Sequence, residues 1–183
     1  MNKSAILFLI CFVMLFLSCD KHTHGLYKDL ACSTSAPNNT FTKQDYQKNF
    51  SIKIPRHWKH SGFSDELQSS IMAADTLKQL SESYILDIAF KNGEITIDQN
   101  FIETFNKQIP YDVIYNAVEP FKDHASFWQV AKGTKQGYNY HVFQQVIKKN
   151  ATSFIELKIE LFGDQLVDER LCEALTVIST LDI

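Results

Sequence analysis

Residues 138–162, YNYHVFQQVIKKNATSFIELKIELF, decide the fold class of this chain. In the second half of this stretch apolar residues alternate with charged ones, Ile155, Leu157, Ile159 and Leu161 against Glu156, Lys158 and Glu160. Such an alternation predicts a strand with one buried face. Because Lys149 and Asn150 leave only a short connection to the preceding strand candidate, we expect the two strands to pair as an antiparallel hairpin.

Outward from this hairpin, alternating or apolar runs predict strands at 50–54, 67–74, 84–90, 113–118 and 126–132. A short amphipathic helix is predicted between a cap at Asp98, or a capping box of Thr96 and Gln99, and the stop at Pro110. A second helix follows Gly163, with one apolar stripe: Val167, Leu171, Ala174, Leu175 and Ile178. The sequence therefore predicts an α+β fold, a mostly antiparallel sheet of about six to seven strands flanked by two helices.

The segment Phe50-Ser-Ile-Lys-Ile-Pro-Arg-His-Trp58, together with this order of elements, resembles the PsbP-like α/β/α sandwich over residues 50–183. Proteins of that superfamily include the extrinsic photosystem II subunit, a nuclear-transport cofactor that binds the Ran GTPase, and bacterial envelope lipoproteins of the DcrB type. The resemblance implies a sheet flanked by helices and, as in most members, a binding or assembly role without catalysis. It carries over no ligand residue.

The amino terminus is predicted to be an export signal. Lys3 precedes an uncharged run of apolar residues that ends at Leu17, and small Ser18 follows. A membrane-spanning helix needs about 20 apolar residues, and this run is shorter. Residues 16–19, Phe-Leu-Ser-Cys, resemble the lipobox of bacterial lipoproteins, although Phe stands where Leu is more usual. We therefore expect residues 1–18 to be a signal peptide and Cys19 to carry the lipid, since a thiolate is the nucleophile that takes up the diacylglycerol.

The rest of the chain is predicted to be a tether followed by one domain. Residues 20–49 are polar and lack a sustained apolar period, so residues 19–49 are interpreted as the lipidated terminus and a flexible tether. Residues 50–183 form the single domain. Anchoring at Cys19 would hold this domain outside the cytoplasm, on the inner or outer membrane of a bacterial envelope.

The cysteine count suggests one disulfide. Once Cys11 leaves with the signal peptide and Cys19 is lipidated, Cys32 and Cys172 remain. An oxidising compartment would permit them to pair, and two free thiols are the alternative.

Composition and motifs argue against several classes of function. The net charge of −3 offers no attraction for nucleic acid. Phosphate-binding loops, nucleophile elbows and zinc motifs are absent from the sequence, so we predict no catalytic residue and no cofactor. His22 with His24, and His57 with His60, lack further ligands at metal-binding spacing, which favours solvated histidines over a metal site.

Carboxylates and aromatic residues supply the remaining candidates. Asp87 interrupts an apolar strand opposite Glu156 or Glu160, and the two-residue period favours an outward or edge position over a buried, catalytic one. Four aromatic residues on adjacent strands are a candidate interaction surface, with burial beneath the helices as the alternative: Trp128, Tyr138, Tyr140 and Phe143.

From the sequence we expect a lipid-anchored, non-catalytic binding or assembly factor with an envelope protein as partner. A small-molecule binder that uses a pocket between sheet and helix is the first alternative, and an envelope hydrolase is the second.

Overall fold

The structure, a computed structural model, describes Cys32 and residues 37–183. Cys19, His22 and His24 lie outside the described residues. The strands are β1 Thr40–Gln44, β2 Ser51–Pro55, β3 Lys59–Ser64, β4 Gln68–Ala74, β5 Ile85–Asn92, β6 Asp112–Val118, β7 Ser126–Lys135, β8 Tyr138–Lys148 and β9 Ser153–Phe162. The helices are α1 Gln99–Lys107 and α2 Val167–Ile178.

One antiparallel sheet of seven strands forms the centre of the fold, in the order β3-β4-β5-β9-β8-β7-β6. The hairpin expected from residues 138–162 is present, with Ile147 opposite Ile155 in β8 and β9. β7 and β8 are joined at Gln136 and Gly137, both at positive φ, which is the backbone of a tight hairpin turn and favours glycine. The α+β fold predicted from the sequence is confirmed.

The two faces of the seven-stranded sheet are covered by different elements. The main core lies between one face of the sheet, the β1–β2 hairpin and α2. It contains the apolar residues of β9 that the alternation predicted to be buried. On the other face α1 is fixed by Phe105, which packs with Phe127 and Val146. Asp98 caps this helix, accepting a hydrogen bond from the amide of Phe101 at 2.8 Å.

The prediction of a tether up to Asn49 was too long. β1 lies inside that segment and pairs along its length with β2, with Phe41 opposite Ile54. The only apolar residue of β1 is Phe41, so no alternation marked it as a strand. Strand β3 was missed for the same reason, since nearly all of its residues are exposed and backbone pairing with β4 holds it.

A disulfide joins Cys32 to Cys172, with the two Cα atoms 5.3 Å apart. Cys172 lies on α2, and Cys32 packs against the main core. The bond therefore fastens the chain before β1 to the closing helix. None of the helices formed by the described residues is long and apolar enough to cross a membrane.

Candidate functional site

An open, polar cleft of about 320 Å³ lies on the face of the sheet that carries α1. We call it the charged cleft. Side chains of the four neighbouring strands β4, β5, β9 and β8 form its floor: Gln68, Ser70, Asp87, Ala89, Lys91, Gln144, Glu156 and Lys158. One wall is formed by Phe105 of α1 and by Gln108, the residue that follows this helix. The cleft exists because α1 is short and covers only part of this face.

The strand register aligns a polar row across the floor. Asp87 of β5 lies opposite Lys158 of β9, which lies opposite Gln144 of β8, which lies opposite Gln129 of β7. The Gln129 side-chain amide is buried and donates to the Gln144 carbonyl oxygen at 2.8 Å. Directly opposed residues on one face of a sheet are close enough to interact, so Asp87, Lys158 and Gln144 form one continuous part of the cleft floor. Buried Gln129 continues the row beneath the protein surface.

Two of the carboxylates on this face are paired with lysines. Glu156 forms an ion pair with Lys91. Glu160 accepts from the Lys135 ammonium and from the Tyr140 hydroxyl, both at 2.6 Å. Although burial raises the pKa of Glu160, these two hydrogen bonds lower it below its ordinary value. Both glutamates are therefore satisfied within the protein.

Asp87 is different, because its carboxylate has no hydrogen bond or ion pair with any described residue. Partial burial raises the pKa of Asp87 above its ordinary value, and the nearby charges of Lys158 and Glu160 act in opposite directions. The two-residue period correctly predicted that Asp87 points away from the main core. It did not show that the side chain enters a half-covered cleft.

The four aromatic residues proposed as an interaction surface do not share one exposed face. Trp128 and Phe143 are buried in the main core. Tyr140 is buried on the opposite face, against Tyr111 and Phe162. Only Tyr138 of the four is exposed, at 60%. Burial was the alternative interpretation for this group, and it applies to three of its members.

The histidine candidates do not come together. His57 lies 3.3 Å from the carboxylate of Asp75, and the ring of His60 packs on that of Phe41. Among the described residues there is no group of three or more His, Cys, Asp or Glu that could hold a metal ion.

The free edge of the sheet at β6 was not predicted as a functional feature. Ile114, Tyr115 and Val118 are exposed there, and a bulge between Val113 and Tyr115 interrupts the pairing with β7. An edge strand that exposes apolar side chains can pair with another chain.

Comparison with solved structures identifies the fold. Cyanobacterial PsbP (CyanoP) from Synechocystis superposes on this chain with a TM-score of 0.55 and 11% identity, over 83% of this chain and 96% of that one. The fold is PsbP-like. This confirms the sandwich that the resemblance implied.

Two further solved structures match with lower TM-scores. A protein from Bacteroides thetaiotaomicron gives a TM-score of 0.49 at 14% identity, over 79% of this chain and 47% of that one. LpqN, described as involved in cell envelope biogenesis of Mycobacterium tuberculosis, gives 0.49 at 11% identity over 78% and 88%. No family model and no curated protein matches the sequence. Since one fold serves many functions, the function has to be argued from the site.

Proposed function

We propose that this chain is a lipid-anchored binding protein of the bacterial envelope that holds its ligand, without catalysis, in the charged cleft. The observation that carries the proposal is Asp87, a half-buried carboxylate on the floor of the cleft that forms no hydrogen bond or ion pair with the described residues. A polar group without a partner costs free energy when it is removed from water, and a bound donor would remove that cost. Natural ligand sites combine a concave surface with a few such convergent polar groups.

The anchoring part of the proposal rests on the sequence around Cys19. The disulfide between Cys32 and Cys172 supports export, because such bonds persist mainly in oxidising compartments. Mass spectrometry of the mature protein from membranes tests the anchor, with diacylglycerol on an amino-terminal Cys19 as the expected result. An unmodified Cys19 would contradict it.

The absence of catalysis is proposed from the chemistry of the cleft. Ser70 is the hydroxyl residue among its lining side chains, and no histidine accompanies it there. The cleft thus offers charges and amides for recognition, without an activated nucleophile.

A photo-crosslinking residue placed in the cleft tests the binding site directly. We would introduce it at Gln108, on the wall of the cleft, and at Gln79, an exposed loop residue outside it, as the matched control. After irradiation of intact cells, the intact mass of the protein should show an adduct at Gln108 and none at Gln79. Equal spectra for the two positions would contradict a ligand in the cleft.

A second candidate function, assembly with an envelope protein, is favoured by the exposed apolar edge at β6. The same crosslinking residue at Tyr115 should then yield one discrete protein adduct, and Ile114→Lys should abolish it. The sequence alone favoured this assembly role. The charged cleft moves our preference to ligand binding, because it presents a shaped site with a group that lacks a partner.

A further inference from the structure

Of the two carboxylates that line the cleft, Asp87 is the one that forms no ion pair with a described residue. Glu156 is paired with Lys91. Glu160, beside the cleft on the same face, is held by Lys135 and Tyr140. A ligand that brings a positive charge would therefore act on Asp87 and would have little to gain at the two glutamates.

Lys158 is the complementary group. Its side chain is 40% exposed, and its one ion pair within the described part of the chain is a long contact of 3.8 Å to Glu160. Glu160 already accepts two hydrogen bonds at 2.6 Å, and its 3.8 Å contact with Lys158 is too long to be a third. An ammonium has three donors, and those of Lys158 remain available to an anion in the cleft.

Asp87 and Lys158 are directly opposed on neighbouring strands, yet they form no ion pair with each other. This places one incompletely paired negative group beside one incompletely paired positive group, on the floor of a cleft open to solvent. A ligand that carries both charges a few bonds apart would satisfy both.

We propose that the charged cleft binds a zwitterion, a free amino acid or short peptide, whose ammonium contacts Asp87 and whose carboxylate contacts Lys158. The inference rests on the proposed function, since it names the class of ligand for the same site. The charged lining residues, Asp87, Lys91, Glu156 and Lys158, sum to zero, which favours a ligand without net charge over a polyanion or polycation.

The rest of the lining suits the same ligand class. Side-chain amides of Gln68, Gln108 and Gln144 can both donate to and accept from a peptide group. Phe105 supplies an apolar patch on the wall. At about 320 Å³ the cleft is at the small end of ligand sites, which suits an amino acid or dipeptide.

Protonation of Asp87 would remove the negative half of the site. The charged groups that face it are Lys158, Glu160 and Glu156 from β9 and Lys91 from β5, whereas β4 and α1 contribute uncharged side chains to the lining. Because burial raises the pKa of Asp87, binding should weaken with falling pH earlier than it would at an exposed carboxylate.

Calorimetric titration of the mature protein, purified from membranes in detergent, tests the inference with three probes. These are the dipeptide Ala-Ala, its N-acetyl derivative, which lacks the ammonium, and its carboxamide, which lacks the carboxylate. Ala-Ala should bind, and each blocked form should bind about tenfold or more weakly, as expected for loss of a charge-assisted hydrogen bond.

Two variants assign each charge to its partner. Asp87→Asn should bind Ala-Ala and N-acetyl-Ala-Ala about equally, and Lys158→Gln should bind Ala-Ala and its carboxamide about equally. Asp123→Asn and Lys59→Gln, exposed positions outside the cleft, should retain the full discrimination. A variant that merely loosened the fold would weaken all three probes together and would not remove one preference.

Equal binding of the three probes, or no binding of Ala-Ala, would overturn the inference. If the crosslinking residue at Gln108 still captures a molecule in cells, only the ligand class fails and the proposed function stands. If it captures nothing, both fail.

Discussion

Removing the disulfide is predicted to cost much of the stability of the domain. The perturbation is the double variant Cys32→Ser, Cys172→Ser, which avoids leaving one free thiol. The bond closes a loop with a sequence separation of 140 residues. A cross-link stabilises a protein largely by reducing the conformational entropy of its unfolded chain, and the effect grows with the logarithm of the loop length.

The magnitude follows from that loop length. The chain-entropy relation gives about 5 kcal/mol near room temperature for a loop of this size. Small proteins are stable by roughly 5–15 kcal/mol, so the loss is a large part of the total. With a denaturant dependence of roughly 1–3 kcal/mol per molar urea, the unfolding midpoint should fall by roughly 2 M or more.

Urea unfolding followed by tryptophan fluorescence measures the effect, because Trp58 and Trp128 are both buried and report on the core. Reductant should lower the midpoint of the wild-type protein to that of the double variant, and it should leave the double variant unchanged. A double variant that unfolds at the wild-type urea concentration, with a wild-type protein insensitive to reductant, would show that the disulfide does not stabilise the domain.

Two further substitutions are predicted to change the free energy of unfolding in opposite directions. Asp87→Asn should stabilise the protein at neutral pH, because burial raises the pKa of Asp87 in the folded state above its ordinary value of 3.8. Above the folded-state pKa the ionised carboxylate therefore opposes folding. Below pH 3.8 the carboxyl is protonated in both the folded and the unfolded state, and the effect disappears. Urea midpoints of variant and wild type across this range measure it, and a less stable variant at neutral pH would show the sign to be wrong. Arg170→Met should lose about 3 kcal/mol of unfolding free energy. The residue is 4% exposed, and its guanidinium donates to the carbonyls of Ser83 and Phe162 at 3.0 Å and of Gly163 at 3.2 Å. Arg56→Met, at an exposed position, should change the free energy of unfolding by less than about 0.5 kcal/mol in the same assay, and equal losses for both arginines would contradict the prediction.

The strands and helices that bury an apolar face could be predicted from the sequence. In β9 every second residue from Ile155 to Leu161 is apolar, and the structure buries those residues. Helix α1 has both an apolar stripe and a cap at Asp98, so its start was predicted from two independent signals.

Strands β1 and β3 could not be predicted in this way. Phe41 is the one apolar residue of β1, and Phe63 of β3 is itself exposed. Both strands are held chiefly by backbone hydrogen bonds to a neighbour, which leave no pattern in the side chains. The sequence consequently assigned residues 40–49 to the tether, although β1 lies within them.

The candidate site could be predicted only in part. The interruption of an apolar strand by Asp87 drew attention to that residue, and the two-residue period gave its direction. The position of Lys158 opposite Asp87 depends on the register between β5 and β9. These two strands are far apart in the sequence, so no local pattern reveals how they pair. The burial of Trp128, Tyr140 and Phe143 was equally a matter of three-dimensional packing, because the sequence shows that aromatic residues share strands but not what covers each face.

The position of the bound ligand on the sheet is the most direct test of this account. Amide chemical shifts of the isotope-labelled mature protein, followed during titration with Ala-Ala, report which residues it contacts. We expect changes centred on Asp87, Lys158 and Gln144, with Gln79 and the β6 edge unaffected. Changes confined to the β6 edge, or no changes at all, would contradict a binding site in the charged cleft.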